Sequence, residues 1–334
     1  MASRTRAWAI LAVLALAAAI VPAASAAAPR ARLQAFLLAS APDSLTDLKA
    51  HAHAIGVVYP TYFECEAPGG RIVGRDIPSI TGYASASHIV VMPRVNCQDG
   101  PTVHRILTDP ATRTATLARL VALAHNARYA GLCVDFENDG AEDREALSAF
   151  VAALAQRLHA RGKKLSVVVD GAGAQQAAPS AGLYDYAALS AAADSVFVLA
   201  WGAHWAGSAP GPIAPLSDVE ATAAYIAQLP DASRFVLGAP MYGLDWPEGE
   251  GAGQATAYQY SGITALARSV GATPVRDPAS QELTFSYSQD GVSHQVWYLD
   301  ARAVRAVLAI GRAHGLGVGL WRLGREDQSL WSSP

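Results

Sequence analysis

Charge is scarce in this chain. Of its 334 residues only 16% are Asp, Glu, Lys or Arg, and the formal net charge is −3. With 51% hydrophobic residues, that balance excludes a disordered chain, which buries too little apolar surface to offset its conformational entropy. No basic block is present, so nucleic acid is not an expected partner: nothing offers the cluster of cations that phosphates require. His-Glu-x-x-His, Gly-x-Ser-x-Gly and Cys-x-x-Cys are all missing, and with them the short signatures of zinc proteases, serine esterases and dithiol centres. His51 and His53 are two apart on a helix and point different ways, so they do not make a metal pair. The glycines of Gly315-Leu316-Gly317-Val318-Gly319 precede a strand, not a helix, and are no nucleotide loop.

Long apolar runs are also lacking, with one exception at the start. Arg4 and Arg6 lead into an uninterrupted apolar run from Ala7 to Ile20, and Ala24-Ser25-Ala26 follows with small residues at the positions a signal peptidase reads. A membrane span needs about 20 residues, so the run predicts a signal peptide over residues 1–26, a mature chain of residues 27–334, and a secreted, periplasmic or cell-envelope protein with no membrane span after cleavage. Cysteine occurs three times. Export permits a disulfide, and Cys65 and Cys97 each follow a strand-like run, so neighbouring strands would bring them together; two free thiols fit the sequence equally well. Cys133 sits inside a strand pattern and is expected to be a small buried residue.

What is abundant is alternation. Strand-like runs at Leu33–Leu38, Ile55–Tyr59, Ile89–Pro93, Gly131–Glu137, Leu165–Val169, Val196–Trp201, Phe235–Ala239 and Gly317–Trp321 are separated by helical patterns such as Pro110–Arg128, Asp143–Arg161, Asp218–Leu229 and Ala301–His314. Asp109-Pro110 makes an N-cap with a first-turn proline, and Gly162 a helix stop. Strand–helix alternation demands a mostly parallel sheet. Eight strands at this length predict an α/β fold, a (β/α)8 TIM barrel. An open doubly wound sheet is the alternative, but it wants a glycine-rich turn after the first strand, and Leu37-Leu38-Ala39-Ser40-Ala41-Pro42 is not one. Between the seventh and eighth strands, about residues 249–300, a helix over Gly262–Val270 and a hairpin of Leu283–Tyr287 with Gln295–Leu299 around Asp290-Gly291 predict a small α+β insertion.

Barrel enzymes place their chemistry at the C-terminal ends of the strands. The segment Gly131-Leu132-Cys133-Val134-Asp135-Phe136-Glu137 is the most informative there. Side chains alternate along a strand, so Cys133, Asp135 and Glu137 share a face, and two carboxylates about 7 Å apart at Cα resist joint ionisation. One of them then stays protonated near neutrality, as a general acid must; an ion pair with Arg94 or Arg322 is the structural alternative. Trp201, Trp205, Tyr242, Trp246 and Trp321 gather at or beyond strand ends, where flat rings suit the C–H faces of sugars; single aromatics there are more often packing. The loop Gly202–Pro215, with His204 and Trp205, is long enough to belong to the site.

These residues carry a resemblance to glycoside hydrolase family 18, in its bacterial branch of spore-cortex-lytic and deacetylase-fused hydrolases, over roughly Leu33 to Trp331. The family's fourth-strand pattern Asp-Gly-x-Asp-x-Asp-x-Glu reads here Ala130-Gly131-Leu132-Cys133-Val134-Asp135-Phe136-Glu137. The stretches His204–Pro212, Met241–Trp246 and Leu320–Asp327 resemble three further segments of that branch. The resemblance implies a polysaccharide substrate and hydrolysis assisted by the substrate's own 2-acetamido group, without metal or organic cofactor. Glu137 would be the acid and Asp135 its partner. Trp321, Tyr242, Trp201, His204, Asp245 and Tyr62 would bind substrate. Two departures stand out. Cys133 replaces an acid, and Leu199-Ala200-Trp201-Gly202 replaces the family's Met-x-Tyr-Asp, leaving the Trp201 indole N–H as the donor in place of a tyrosine hydroxyl. A carbohydrate-binding barrel without turnover is the competing expectation.

Overall fold

The computed structural model describes residues 32–137, 140–171, 182–249 and 253–332; the expected signal peptide lies outside them. Eight parallel strands close into the barrel that the alternation predicts: Leu33–Leu37, Ile55–Glu66, Arg94–Cys97, Gly131–Phe136, Lys164–Asp170, Ser195–Leu199, Phe235–Pro240 and Gly317–Leu323. Closure falls to the first strand, whose Ala35 lies between Val58 of the second and Leu320 of the last. Helices such as Arg144–His159 cover the outside. That helix buries Leu147, Phe150, Val151, Leu154 and Leu158, the face its 3.6-residue period dictates. Asp109 caps the helix Pro110–Leu123, its carboxylate accepting from Thr112 N at 2.7 Å.

Two strands differ from expectation, and both differences shape the site. The second continues past Tyr59 to Glu66, because its end pairs with the antiparallel Arg71–Gly74 as well as with the third strand. The third is broken. Val90–Val91 pairs with the second strand, the ladder lapses at Met92-Pro93, where proline has no N–H to give, and Arg94–Cys97 resumes between the second and fourth strands. Arg94 and Asn96 therefore sit within a strand, opposite Cys133 and Asp135.

The barrel interior is a plug of Phe36, Tyr59, Met92, Cys133, Val168, Phe197 and Val236, with Trp201 and Trp321 packed against it. Cys133 is fully buried there, as expected. Phe197 crosses the interior only because its neighbours lack side chains: a Cβ on Gly238 or Gly319 would stand 2.4 or 2.3 Å from its ring.

The insertion is larger than its hairpin. It is a five-stranded antiparallel sheet in the order Thr256–Tyr258, Gly243–Glu248, Val292–Tyr298, Leu283–Gln289, Val275–Arg276, with the helix Tyr260–Ser269 against it. Gln289 pairs with Val292 across Asp290 and Gly291, both at positive φ, as a tight hairpin of this sequence requires. The sheet begins at Gly243, so the segment after the seventh strand already belongs to it.

Candidate active site

The fourth strand delivers its two acids to the barrel mouth in different states. Asp135 is buried, with 1% of its side chain exposed, while Glu137, one step past the strand end, keeps 18%. Arg94 serves both. Its Nε donates to Asp135 Oδ2, and its Nη2 to Glu137 Oε1 at 3.4 Å. Gln98 Nε2 donates to the same Oε1 at 3.2 Å, and Glu137 N donates to Cys97 O at 2.9 Å. Loss of water raises the Glu137 carboxyl well above the ordinary range. Asp135 adds to that rise, Arg94 opposes it, and Asp170 at the end of the fifth strand raises it further. Asp135 Oδ1 is buried without a hydrogen-bond partner, a lone acceptor of the kind that native structures seldom leave unexplained. Tyr184 lies close by, its hydroxyl donating to Phe136 O at 2.9 Å.

Trp321 forms the adjoining floor. Its ring centre lies 5.0 Å from that of Phe36 and 5.0 Å from the Arg94 guanidinium carbon. With Tyr242, Trp205, Leu244, Ala257, Arg322 and Arg325 it lines a cavity of about 320 Å³. Burial, then the charges of Glu282 and Glu137, push the Tyr242 hydroxyl above its usual range. A larger depression of about 830 Å³ beside His104 and Glu142 has no Trp or Tyr on its wall, whereas the smaller one is tied to the fourth-strand acids through Arg94, which meets both the Trp321 ring and the two carboxylates.

Other expected site residues are committed elsewhere. Tyr62 is buried between the second strand and the helix Pro78–Ala86, its hydroxyl 2.8 Å from Thr81 Oγ1; the strand's outward face claims it. Asp245 lies inside the insertion, where its two oxygens accept from Tyr287 at 2.7 Å and His294 at 2.9 Å. His204 shapes its loop: Nδ1 donates to Ala209 O at 2.8 Å, and the ring lies flat against Gly211, where a Cβ would stand 2.4 Å away. Trp246 is buried and donates to Trp205 O at 3.2 Å, while Trp205 itself is 47% exposed. Trp201 packs at the top of the barrel plug. Cys65 and Cys97 are unjoined, with Cys97 buried and its thiol in direct interaction with that of Cys65.

Residues that sequence reasoning missed hold the rim together. Glu282 is fully buried, and its oxygens accept from Ile213 N at 2.9 Å and Ala214 N at 2.7 Å. Burial pushes its carboxyl up to about 7, against the pull of those two N–H groups. The loop 202–215 is thereby fastened to the insertion, and Ala255 N adds a bond to Ala206 O at 2.8 Å. Nothing in the local sequence marks Glu282, which sits in an unremarkable Ser-Gln-Glu-Leu stretch; Gln98 follows Cys97 with no signal of its own.

A closed barrel with a carboxyl of raised pKa at the end of its fourth strand, near an aromatic-lined cavity, is the arrangement of a glycoside-hydrolase type of protein. Residues 73–326 match the family described as Glycosyl hydrolases family 18, and the chain belongs to it. It is 33% identical over 228 residues to YdhD of Bacillus subtilis strain 168, named as a sporulation-specific glycosylase, covering 66% of this chain and 53% of that one. The chain thus spans about half the length of that relative. The crystal structure of a chitinase from Chromobacterium violaceum superposes with a TM-score of 0.79 at 29% identity, over 90% of this chain and 97% of that one. The spore cortex-lytic enzyme SleL of Bacillus cereus shares the fold, with a TM-score of 0.77 at 24% identity, over 90% and 72%.

Proposed function

We propose that this chain is an exported glycosidase that cleaves β-linked N-acetylated amino-sugar polymers, chitin-like or peptidoglycan-like, with retention and with help from the substrate's own acetamido group. The observation that carries the reading is the contrast at the fourth strand. Glu137 is reachable and held above the usual carboxylate range, while Asp135 beside it is buried and paired with Arg94. Both donors to Glu137 reach Oε1, so its proton rests on the other oxygen and passes to the glycosidic oxygen as the bond breaks. The acetamido carbonyl oxygen attacks C1 at the same time, giving an oxazolinium ring. Asp135 Oδ1, lacking a partner, accepts from the acetamido N–H and steadies the positive charge. Water then attacks C1 while Glu137, now a carboxylate, takes its proton. Trp321 floors the ring at the cleavage point and Tyr242 lines it, while Trp201, at the sequence position of the family's tyrosine, packs against the barrel plug. The names of two relatives, a chitinase and a sporulation-specific glycosylase, support the substrate assignment.

Glu137→Gln tests the reading on fluorogenic N-acetylglucosamine oligomers. The expected loss in kcat is about 10²–10⁴-fold, and unchanged hydrolysis refutes it. The lost family acid at Cys133 motivates one rival, a binding barrel. Glycan binding with no reducing ends released by the unaltered chain would establish that rival instead.

A further inference from the structure

The cavity above Trp321 holds positive charge that no carboxylate among the described residues answers. Of the three arginines around it, Arg94 is paired with Asp135 and Glu137. Arg322 and Arg325 both line the cavity wall. The guanidinium of Arg322 packs 5.9 Å from the Trp321 ring centre, and among the described residues no carboxylate pairs with it or with Arg325. Burial first, then Arg325 and Arg94 as like charges, hold Arg322 down to about 10. A partly buried cation with no counter-charge among the described residues loses hydration without compensation. The guanidinium fork presents paired, coplanar donors that suit a carboxylate. A sugar ring stacked on Trp321 shares that tryptophan with Arg322, so a substituent on the ring's edge meets the two arginines.

We propose that Arg322 and Arg325 bind a carboxylate carried by the glycan, making the preferred substrate an acidic amino-sugar polymer and not a neutral one. This rests on the assignment of the cleft as the hydrolytic site. Two carbohydrate carboxylates would fit the fork, a lactyl ether on an amino sugar or the ring carboxylate of a uronic sugar.

The test compares three linkage-matched oligomers: neutral N-acetylglucosamine, one alternating with a muramic-type ring, and one alternating with a uronic-type ring. At low salt, one acidic oligomer is expected to exceed the neutral one in kcat/KM by about 10- to 100-fold, the scale of charged hydrogen bonds; which one identifies the source. High salt narrows the gap. In the Arg322→Met/Arg325→Met double variant the ratio of acidic to neutral kcat/KM collapses, and that ratio, not the neutral rate, is the readout. Arg325→Lys retains part of the acidic advantage, a control for folding. Equal values for all three oligomers in the unaltered enzyme, or an acidic advantage that survives the double substitution, overturn the proposal. Calorimetry of the same oligomers on Glu137→Gln reads the preference without turnover. Neutral oligomers cleaved in a Glu137-dependent way with no acidic preference sink this inference alone. An acidic preference in binding with no cleavage by the unaltered chain upholds it and sinks the hydrolytic reading.

Discussion

Glu282 and Glu137 both have carboxyls pushed upward by loss of water, and they do opposite things. Glu282, in the insertion, gives both oxygens to backbone N–H groups of the loop 202–215. Glu137, at the barrel mouth, receives two longer contacts on one oxygen and also interacts with the Asp135 carboxyl, with a fifth of its side chain open to solvent. A raised pKa therefore does not distinguish a catalyst from a fastener. Exposure to solvent and the lack of strong backbone donors do.

The contrast is sharpened first by Asp135→Asn beside Glu282→Gln. The former should lower kcat by about 10²–10³-fold, since it removes a charge that faces the developing cation. The latter should leave turnover within a few-fold. Comparable losses from the two would erase the distinction between mouth and insertion. Next comes Arg94→Met. Arg94 lowers the Glu137 pKa, so its removal should move the alkaline limb of the kcat/KM profile, where the acid loses its proton, to higher pH. A limb that stays in place would show that Arg94 serves packing alone.

Stability separates the regions more gently. Glu282 has its folded pKa raised from 4.5 to about 7. Between those values the folded state holds the extra proton, so stability is greatest below the lower one, declines through the window as pH rises, and levels off above about 7. The span is at most roughly 3 kcal/mol. In thermal melts, Glu282→Gln should flatten that decline, whatever it does to the absolute Tm. The smallest effect on turnover belongs to Cys65 and Cys97. Treatment with a low-molecular-weight disulfide should join them, two thiol hydrogens and two electrons passing to the oxidant, with mass spectrometry recording the link, Tm rising and kcat little changed. Persistence of both thiols would show that the strand ends are held too far apart.

The parts of this molecule that local periodicity controls were legible in its residues. The barrel, the buried face of Arg144–His159 and the Asp290-Gly291 hairpin all follow from spacing and turn chemistry. The fourth-strand acids followed from parity, and their family pattern supplied roles. What escaped depends on register between distant segments. Tyr62 is an instructive miss, since parity with Tyr59, which faces the interior, sends it outward, and the irregularity between Thr61 and Phe63 does not bring it back. Asp245 needed the pairing of Gly243–Glu248 with Val292–Tyr298, which sets it near His294. Arg94 was visible as a partner for the acids, but its place within the strand depended on the break at Pro93.

The clasp between Glu282 and the chain at Ile213-Ala214 has a practical corollary for anyone re-engineering this barrel. Loop grafting commonly treats each connection as a separate cassette. Here a transplanted sixth connection would arrive without its anchor, and a transplanted insertion would strand an acid with nothing to hold, so a working chimera must exchange the two pieces together.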